Sequence, residues 1–375
     1  MPFVQILLIA TLSNFLIGTI VATTQAGVKL DSYKVDTSTI TISGLSSGAI
    51  MAMQYHVAFS EQIRGAGILA GVPYACTRDG AYAIVPCLDF PEETDIPAIL
   101  DFISQQATIN NIDHPSNISG DTVFIFHGLL DHRIKPHNAV LVKDIYAHFN
   151  ASIKTELTLE AAHGFPTNDY GGACDQYSPE TQFINNCSYH SVFETLNHLY
   201  NQTLQYPTGS ELLTPLISYD QVEFGSVAAM MDSIGYVYVP TVCGLESEDK
   251  QPCKFHVVFH GCQQYRGNIG EIYVTKTGYL EVAEKNGIVL IFPQVINSTD
   301  NPNGCWDWWG FNDENFPNSF SVIKTGRQMK AVNEMVQRVA FCEDNCSMTG
   351  TRTQFSIVTI IILTLLSASV ILFVC

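Results

Sequence analysis

The sequence predicts an α/β fold built on a parallel sheet, and three observations carry that reading. Short β-branched and apolar runs recur along the chain, helical stretches lie between them, and a Gly-x-Ser-x-Gly pentapeptide sits where one run gives way to a helix. The predicted strands cover 39–43, 65–70, 122–126, 154–159, 255–260 and 288–292. These short β-branched and apolar runs suit buried strands. A helix is predicted over 49–58 after the first strand, another over 279–286 before the last, and a long one over 321–341 with apolar residues near helical spacing. No internal repeat, Pro-rich linker or low-complexity tract divides 27–346, which is read as one domain.

Composition narrows the class. In 375 residues, hydrophobic side chains make up 46% and charged ones 14%, the balance of a packed chain with apolar ends. Eighteen basic residues against 36 acidic ones give a formal charge of −18, the wrong sign for gripping a phosphate backbone, so nucleic acid is excluded as a partner.

Both ends are informative. Phe3 to Val21 is almost wholly apolar and is followed by small residues at Ala22, Thr23, Thr24 and Ala26, the pattern of a secretory signal over 1–26. It lacks a basic n-region, which leaves an uncleaved anchor as the alternative. The 21 residues from Phe355 to Cys375 carry no charge and follow a polar spacer with small residues near Ser347 and Gly350. Such an ending over 347–375 fits a glycolipid-anchor signal, with a single spanning helix as the other reading. Either way the body is expected outside the cytoplasm, secreted or attached to the cell surface through the tail.

Ten cysteines remain once Cys375 is set aside in the tail, an even number that fits a disulfide framework. Near neighbours give the simplest pairs, Cys76 with Cys87, Cys174 with Cys187 and Cys243 with Cys253. Glycosylation sequons stand at Asn117, Asn150, Asn186, Asn201, Asn297 and Asn345.

The chemistry starts at Gly44-Leu45-Ser46-Ser47-Gly48. Glycines flanking a serine between strand and helix permit a crowded turn that exposes the hydroxyl at the sheet edge, near a helix N-terminus. A serine hydroxyl needs an imidazole to take its proton and an acid to orient that imidazole. With 11 histidines some pair always follows a serine, and Asp121 or His127 serve equally well as cap or core residues. Position at strand ends selects Asp131, after the strand 122–126, and His163, after the strand near 154–159, in the order Ser, Asp, His.

Two backbone N–H groups should face the oxyanion. Ser47 supplies one. The second is expected from a His-Gly loop upstream of the serine, yet the matching sequence, His260-Gly261-Cys262, lies more than 200 residues downstream. The element order is rotated, and the fold expected is a circularly permuted α/β-hydrolase with Cys262 N–H as second donor. The Cys262 thiol is read as tied in a disulfide, with Cys305 as partner, rather than as a nucleophile. No metal or organic cofactor is required.

Gly44-Leu45-Ser46-Ser47-Gly48-Ala49, His260-Gly261-Cys262, Gly287-Ile288-Val289-Leu290-Ile291-Phe292-Pro293-Gln294 and Cys305-Trp306-Asp307-Trp308-Trp309 together resemble the extracellular polyhydroxybutyrate depolymerases. They resemble most the single-domain, circularly permuted fungal type, with the related feruloyl-esterase-like group beside it. The resemblance spans about 38–341. It implies Ser46, Asp131 and His163 as the triad, Ser47 and Cys262 as the oxyanion hole, and a tryptophan in substrate binding. All three tryptophans fall within Trp306 to Trp309, and Trp306 is named as the substrate-binding one, with core packing as the alternative. The chain departs from secreted bacterial relatives in lacking a Thr- or Pro-rich linker and a separate polymer-binding module. Ester hydrolysis is untouched by this, and the expected substrates are short hydroxyalkanoate esters or oligomers. A feruloyl or acetyl esterase acting on carbohydrate is the runner-up, and a surface recognition protein without turnover the third reading. Oligomeric state is not legible.

Overall fold

The computed structural model describes residues 27–211, 213–244, 252–312 and 321–341. The leader read over 1–26, Cys342, Cys346, Asn345 and the tail 347–375 lie outside them. The strands are β1 (Thr41–Leu45), β2 (Gly65–Leu69), β3 (Thr122–Phe126), β4 (Ser152–Glu156), β5 (Phe165–Thr167), β6 (Gly172–Ala173), β7 (Ile184–Asn186), β8 (Ile217–Asp220), β9 (Ile234–Tyr238), β10 (Lys254–Phe259) and β11 (Ile288–Phe292). Eight of them join one sheet in the order β4-β3-β2-β1-β10-β11-β9-β8, and β5, β7 and β6 form a small second sheet.

β1 lies in the middle of the large sheet with every one of its residues buried, its two hydroxyls, Thr41 and Ser43, satisfied by the neighbouring strand β10. It pairs in parallel with β2 on one side, Ser43 opposite Gly67, and with β10 on the other, Ser43 opposite Val258. Alternate residues of β10 feed the two core layers: Phe255, Val257 and Phe259 into one, Val258 into the other. The first layer includes Tyr55 of α1 (Ser47–Ala58) and Met329, Val332 and Met335 of the helix Arg327–Phe341. The second includes Leu196 and Leu199 of the helix Ser191–Leu199 and Leu280 of the helix Tyr279–Asn286.

Sequence and structure differ at the far edge. A parallel sheet is expected throughout, but β9 runs antiparallel to β11 and β8 antiparallel to β9. The parallel part sets the geometry that matters. β4, β3, β2, β1 and β10 point the same way, so the loops after β1, β3, β4 and β10 all emerge at one edge. At another part of the molecule, the beginning and end of the described chain meet: Tyr33 N–H donates to Val339 O at 3.0 Å and Arg338 Nη1 to Leu30 O at 3.1 Å.

Four disulfides are present: Cys76–Cys87, Cys174–Cys187, Cys243–Cys253 and Cys262–Cys305. Of the sequons, Asn150, Asn186, Asn201 and Asn297 are exposed and Asn117 is half-buried. Among the described residues no helix is long and apolar enough to cross a membrane.

Two buried histidines belong to the frame. His256 of β10 bonds Thr41 and Ser43 of β1, both at 2.7 Å, and His260 donates from Nδ1 to Gly261 O at 2.8 Å. Burial pushes His256 down to about 3 and His260 to about 4. Both are neutral when folded but would take a proton near about pH 6.5 once unfolded. The unfolded chain therefore binds more protons below that value, so their stabilisation is complete above it and is lost as pH falls towards 4. Each costs about 1.4 kcal/mol per pH unit within that window. The expected result is a melting temperature that is level from about pH 8 to 6.5 and drops steeply by about pH 4.5. A melting curve unchanged at the lower pH would contradict this account.

Candidate active site

Ser46 occupies the tight turn between β1 and α1, with φ 56° and ψ −122°. That strained conformation is locked from both sides: Ser46 N–H donates to Leu69 O at 2.9 Å, and Ile50 N–H donates to Ser46 O at 3.0 Å. Gly48 lets α1 begin directly against β10, because a Cβ there would lie 2.3 Å from Phe259 O and 2.5 Å from His260 O.

The loops after β3 and β4 are zipped together. Leu129 N–H donates to Leu159 O at 2.9 Å and Leu130 N–H to Ala161 O at 3.1 Å. Gly128 is required for that approach, since a Cβ would stand 2.1 Å from Ala161 O. The zipper brings Asp131 and His163 side by side. His163 Nδ1–H donates to Asp131 Oδ2 at 2.7 Å, and Ser46 Oγ–H donates to His163 Nε2 at 3.0 Å. The three residues selected from the sequence are thus joined in one hydrogen-bonded series.

Asp131 is buried and fully engaged. Its Oδ1 accepts the N–H groups of Arg133 at 2.8 Å and Ile134 at 2.9 Å. His127, read from sequence as a cap or core residue, has its Nε2 3.2 Å from Asp131 Oδ2 and donates to Ile134 O at 2.9 Å. Burial alone would raise the Asp131 proton affinity, but His163 and His127 outweigh it and hold the carboxyl well below the usual carboxylate range. Asp131 is therefore ionised at any pH at which the protein would work.

The other expected donors also converge. The N–H groups of Ser47 and Cys262 have no acceptor among the described residues, and both residues line the same cavity as Ser46 and His163. The Cys262 loop is braced on every side: Cys262 is bonded to Cys305, Gln263 N–H donates to Asn303 O at 2.7 Å, and Gly261 N–H donates to Gln264 Oε1 at 2.9 Å. Gln264 in turn donates to Gln182 O at 2.9 Å, tying the loop to the segment that carries Phe183. Sequence reasoning did not find Gln264, whose role depends on a contact 82 positions away.

The cavity holds about 210 Å³ and is walled mainly by apolar side chains, among them Ile50, Ile84, Leu88 and Ile134. The indoles on its wall are Trp308 and Trp309. Trp306, the one expected to bind substrate, is instead fully buried, with its ring 4.9 Å from Phe259 and 5.6 Å from His260. The reason is local: Asn301 grips Cys305 through both its N–H and its carbonyl, and Trp306 N–H donates to Ser47 Oγ at 3.3 Å, which turns this indole into the core. Among the described residues no group of three or more His, Cys, Asp or Glu side chains could hold a metal ion.

A mostly parallel central sheet flanked by helices, with a serine turn after its middle strand, defines an α/β-hydrolase, and solved structures agree. The fold matches the crystal structure of a PHB depolymerase from Penicillium funiculosum with a TM-score of 0.73 and 28% identity, over 83% of this chain and 98% of that one. A PHB depolymerase variant complexed with an R3HB trimer matches equally well. No family model matches the chain. The polyhydroxybutyrate depolymerase of Talaromyces funiculosus is 31% identical over 77% of this chain and 87% of its own length. The poly(3-hydroxybutyrate) depolymerase of Delftia acidovorans is 34% identical over 85% of this chain, which spans 63% of that relative. The chain belongs to the polyhydroxybutyrate depolymerase family.

Proposed function

We propose that this protein is a secreted or surface-anchored serine esterase that hydrolyses hydroxyalkanoate esters through an acyl-enzyme. The observation that carries the reading is the Ser46–His163–Asp131 series opening onto an apolar cavity beside two backbone N–H groups without acceptors. Ser46 Oγ attacks the ester carbonyl while His163 Nε2 takes its proton, and ionised Asp131 stabilises the imidazolium. The oxyanion accepts hydrogen bonds from Ser47 and Cys262. Collapse of this intermediate expels the alcohol, protonated by His163. Water then attacks the acyl-enzyme with His163 as base, releasing the acid and restoring Ser46. The indoles of Trp308 and Trp309 would face the substrate, and no metal or cofactor takes part.

The relatives' activity on polyhydroxybutyrate favours hydroxyalkanoates over feruloyl or acetyl groups as acyl donors. The reading includes a circular permutation of one domain over 27–346. Its support is the position of β10 beside β1 and the contact of Tyr33 with Val339, where joined ends would let β8–β11 precede β1. The apolar leader and tail support secretion and surface attachment.

Hydrolysis of p-nitrophenyl butyrate, hydroxybutyrate trimer and methyl ferulate by the purified protein tests the assignment. Turnover of the first two is expected, lowered about 10⁴-fold or more in Ser46→Ala. Turnover of ferulate alone would replace it with the carbohydrate esterase, and a folded protein inert on all three would leave a recognition protein.

A further inference from the structure

The cavity has one permanently charged side chain on its wall, Arg133. Among the described residues no carboxylate pairs with its guanidinium, although the chain has 36 acidic residues against 18 basic ones. The local sequence is biased the same way: Asp131-His132-Arg133-Ile134-Lys135-Pro136-His137 has one acidic residue, and that carboxylate is committed to the triad. The Arg133 backbone N–H is anchored on Asp131 Oδ1 at 2.8 Å, which fixes the main chain at the cavity mouth, and the guanidinium carbon of this exposed side chain lies 5.8 Å from the centre of the Tyr177 ring. Tyr177 itself stacks on Phe183 with ring centres 4.8 Å apart, and both line the cavity. An unpaired fork of donors on an aromatic platform beside a nucleophile is suited to a planar anion.

We propose that Arg133 is a specificity-determining residue that receives the terminal carboxylate of an acid-ended oligoester. The proposal rests on the esterase reading above and deepens it. In a hydroxyalkanoate oligomer the acyl side of any ester leads to a hydroxyl end and the alcohol side leads to the carboxylate end. Arg133 therefore grips the leaving-group portion, and the enzyme favours oligomers cut near their acid terminus. Each cleavage leaves a new carboxylate end on the remaining fragment, so the product of one turnover carries the group that recruits the next.

The test compares hydroxybutyrate trimer as the free acid with the same trimer ended by a carboxamide, which keeps the shape and removes the charge. Wild-type protein is expected to favour the acid about tenfold in kcat/KM, the equivalent of one charged hydrogen bond. Arg133→Gln is expected to abolish that preference. Equal wild-type rates on the two trimers, or a preference that survives in Arg133→Gln, would overturn the proposal, and so would a loss that strikes both substrates alike, which marks a structural role. If neither trimer is hydrolysed, the esterase reading fails first. Calorimetry with the free acid on Ser46→Ala then decides about Arg133 alone. Binding about tenfold weaker on adding Arg133→Gln would sustain carboxylate recognition, and equal binding would end it.

Discussion

Asp131→Asn is expected to lower kcat on p-nitrophenyl butyrate about 10⁴-fold with little change in KM, in a protein that still folds. The size follows from how the carboxylate is divided. One oxygen is held by the N–H groups of Arg133 and Ile134, and the other accepts from His163 Nδ1–H. An asparagine satisfying the first pair with its carbonyl must turn its NH₂ group towards His163. The imidazole then has to present a lone pair at Nδ1, which moves its proton to Nε2, facing Ser46. A base already protonated where it must accept a proton cannot activate the serine. Thermal melting of the variant separates this from misfolding. A rate within about tenfold of wild type would show that Asp131 does not orient His163.

Gly48→Ala is expected to be a severely damaging single-methyl change. Its Cβ would meet Phe259 O at 2.3 Å and His260 O at 2.5 Å, both backbone at the end of β10 and the start of the Cys262 loop. Neither oxygen can swing away as a side-chain end could. Either α1 lifts from β10 or β10 shifts against β1, and each displaces Ser46 relative to the Cys262 N–H. A loss of about 3 kcal/mol or more is expected, a fall of about 6 °C or more in melting temperature. The kcat of whatever folds should fall further than its stability, because oxyanion donors are effective only within a few tenths of an ångström. A variant that melts within about 1 °C of wild type would refute this packing account.

What the sequence revealed depended on how local each signal is. β3 and β11 are covered on both faces, so each is a nearly continuous apolar run and was legible. The elbow was legible for the same reason, since its glycines and serine are consecutive. Asp131 could be placed because β3 ends where the pattern said, and His163 could be placed although β4 is half-exposed, starts two residues earlier than expected and ends three residues earlier. β8 and β9 escaped notice: they are antiparallel, short, and Gly235 breaks the apolar run of β9. The helices Ile96–Thr108, His137–His148 and Ser191–Leu199 were also not read. In His137–His148 the buried face includes Asn138 and Tyr146, which blurs the apolar stripe.

The site residues that stayed hidden depend on contacts distant in sequence. Nothing in the run Cys305 to Trp309 says which indole turns inward, and only the Asn301 clamp and the Ser47 hydroxyl decide it. Gln264 acquires its role from a partner that another loop brings to it, whereas His127 turns back onto Asp131 within its own loop. The Cys262–Cys305 bridge, by contrast, was read from the sequence as the fate of the Cys262 thiol.

The central claim is that Ser46 is the nucleophile, and the most direct measurement is covalent trapping. The protein is incubated with a p-nitrophenyl phosphonate, and the modified peptide is located by mass spectrometry. The account predicts one adduct per chain, on Ser46, forming together with loss of esterase activity and absent when His163→Ala is treated in the same way. Activity lost with the adduct on another residue, or hydrolysis that persists in a fully labelled protein, would contradict it.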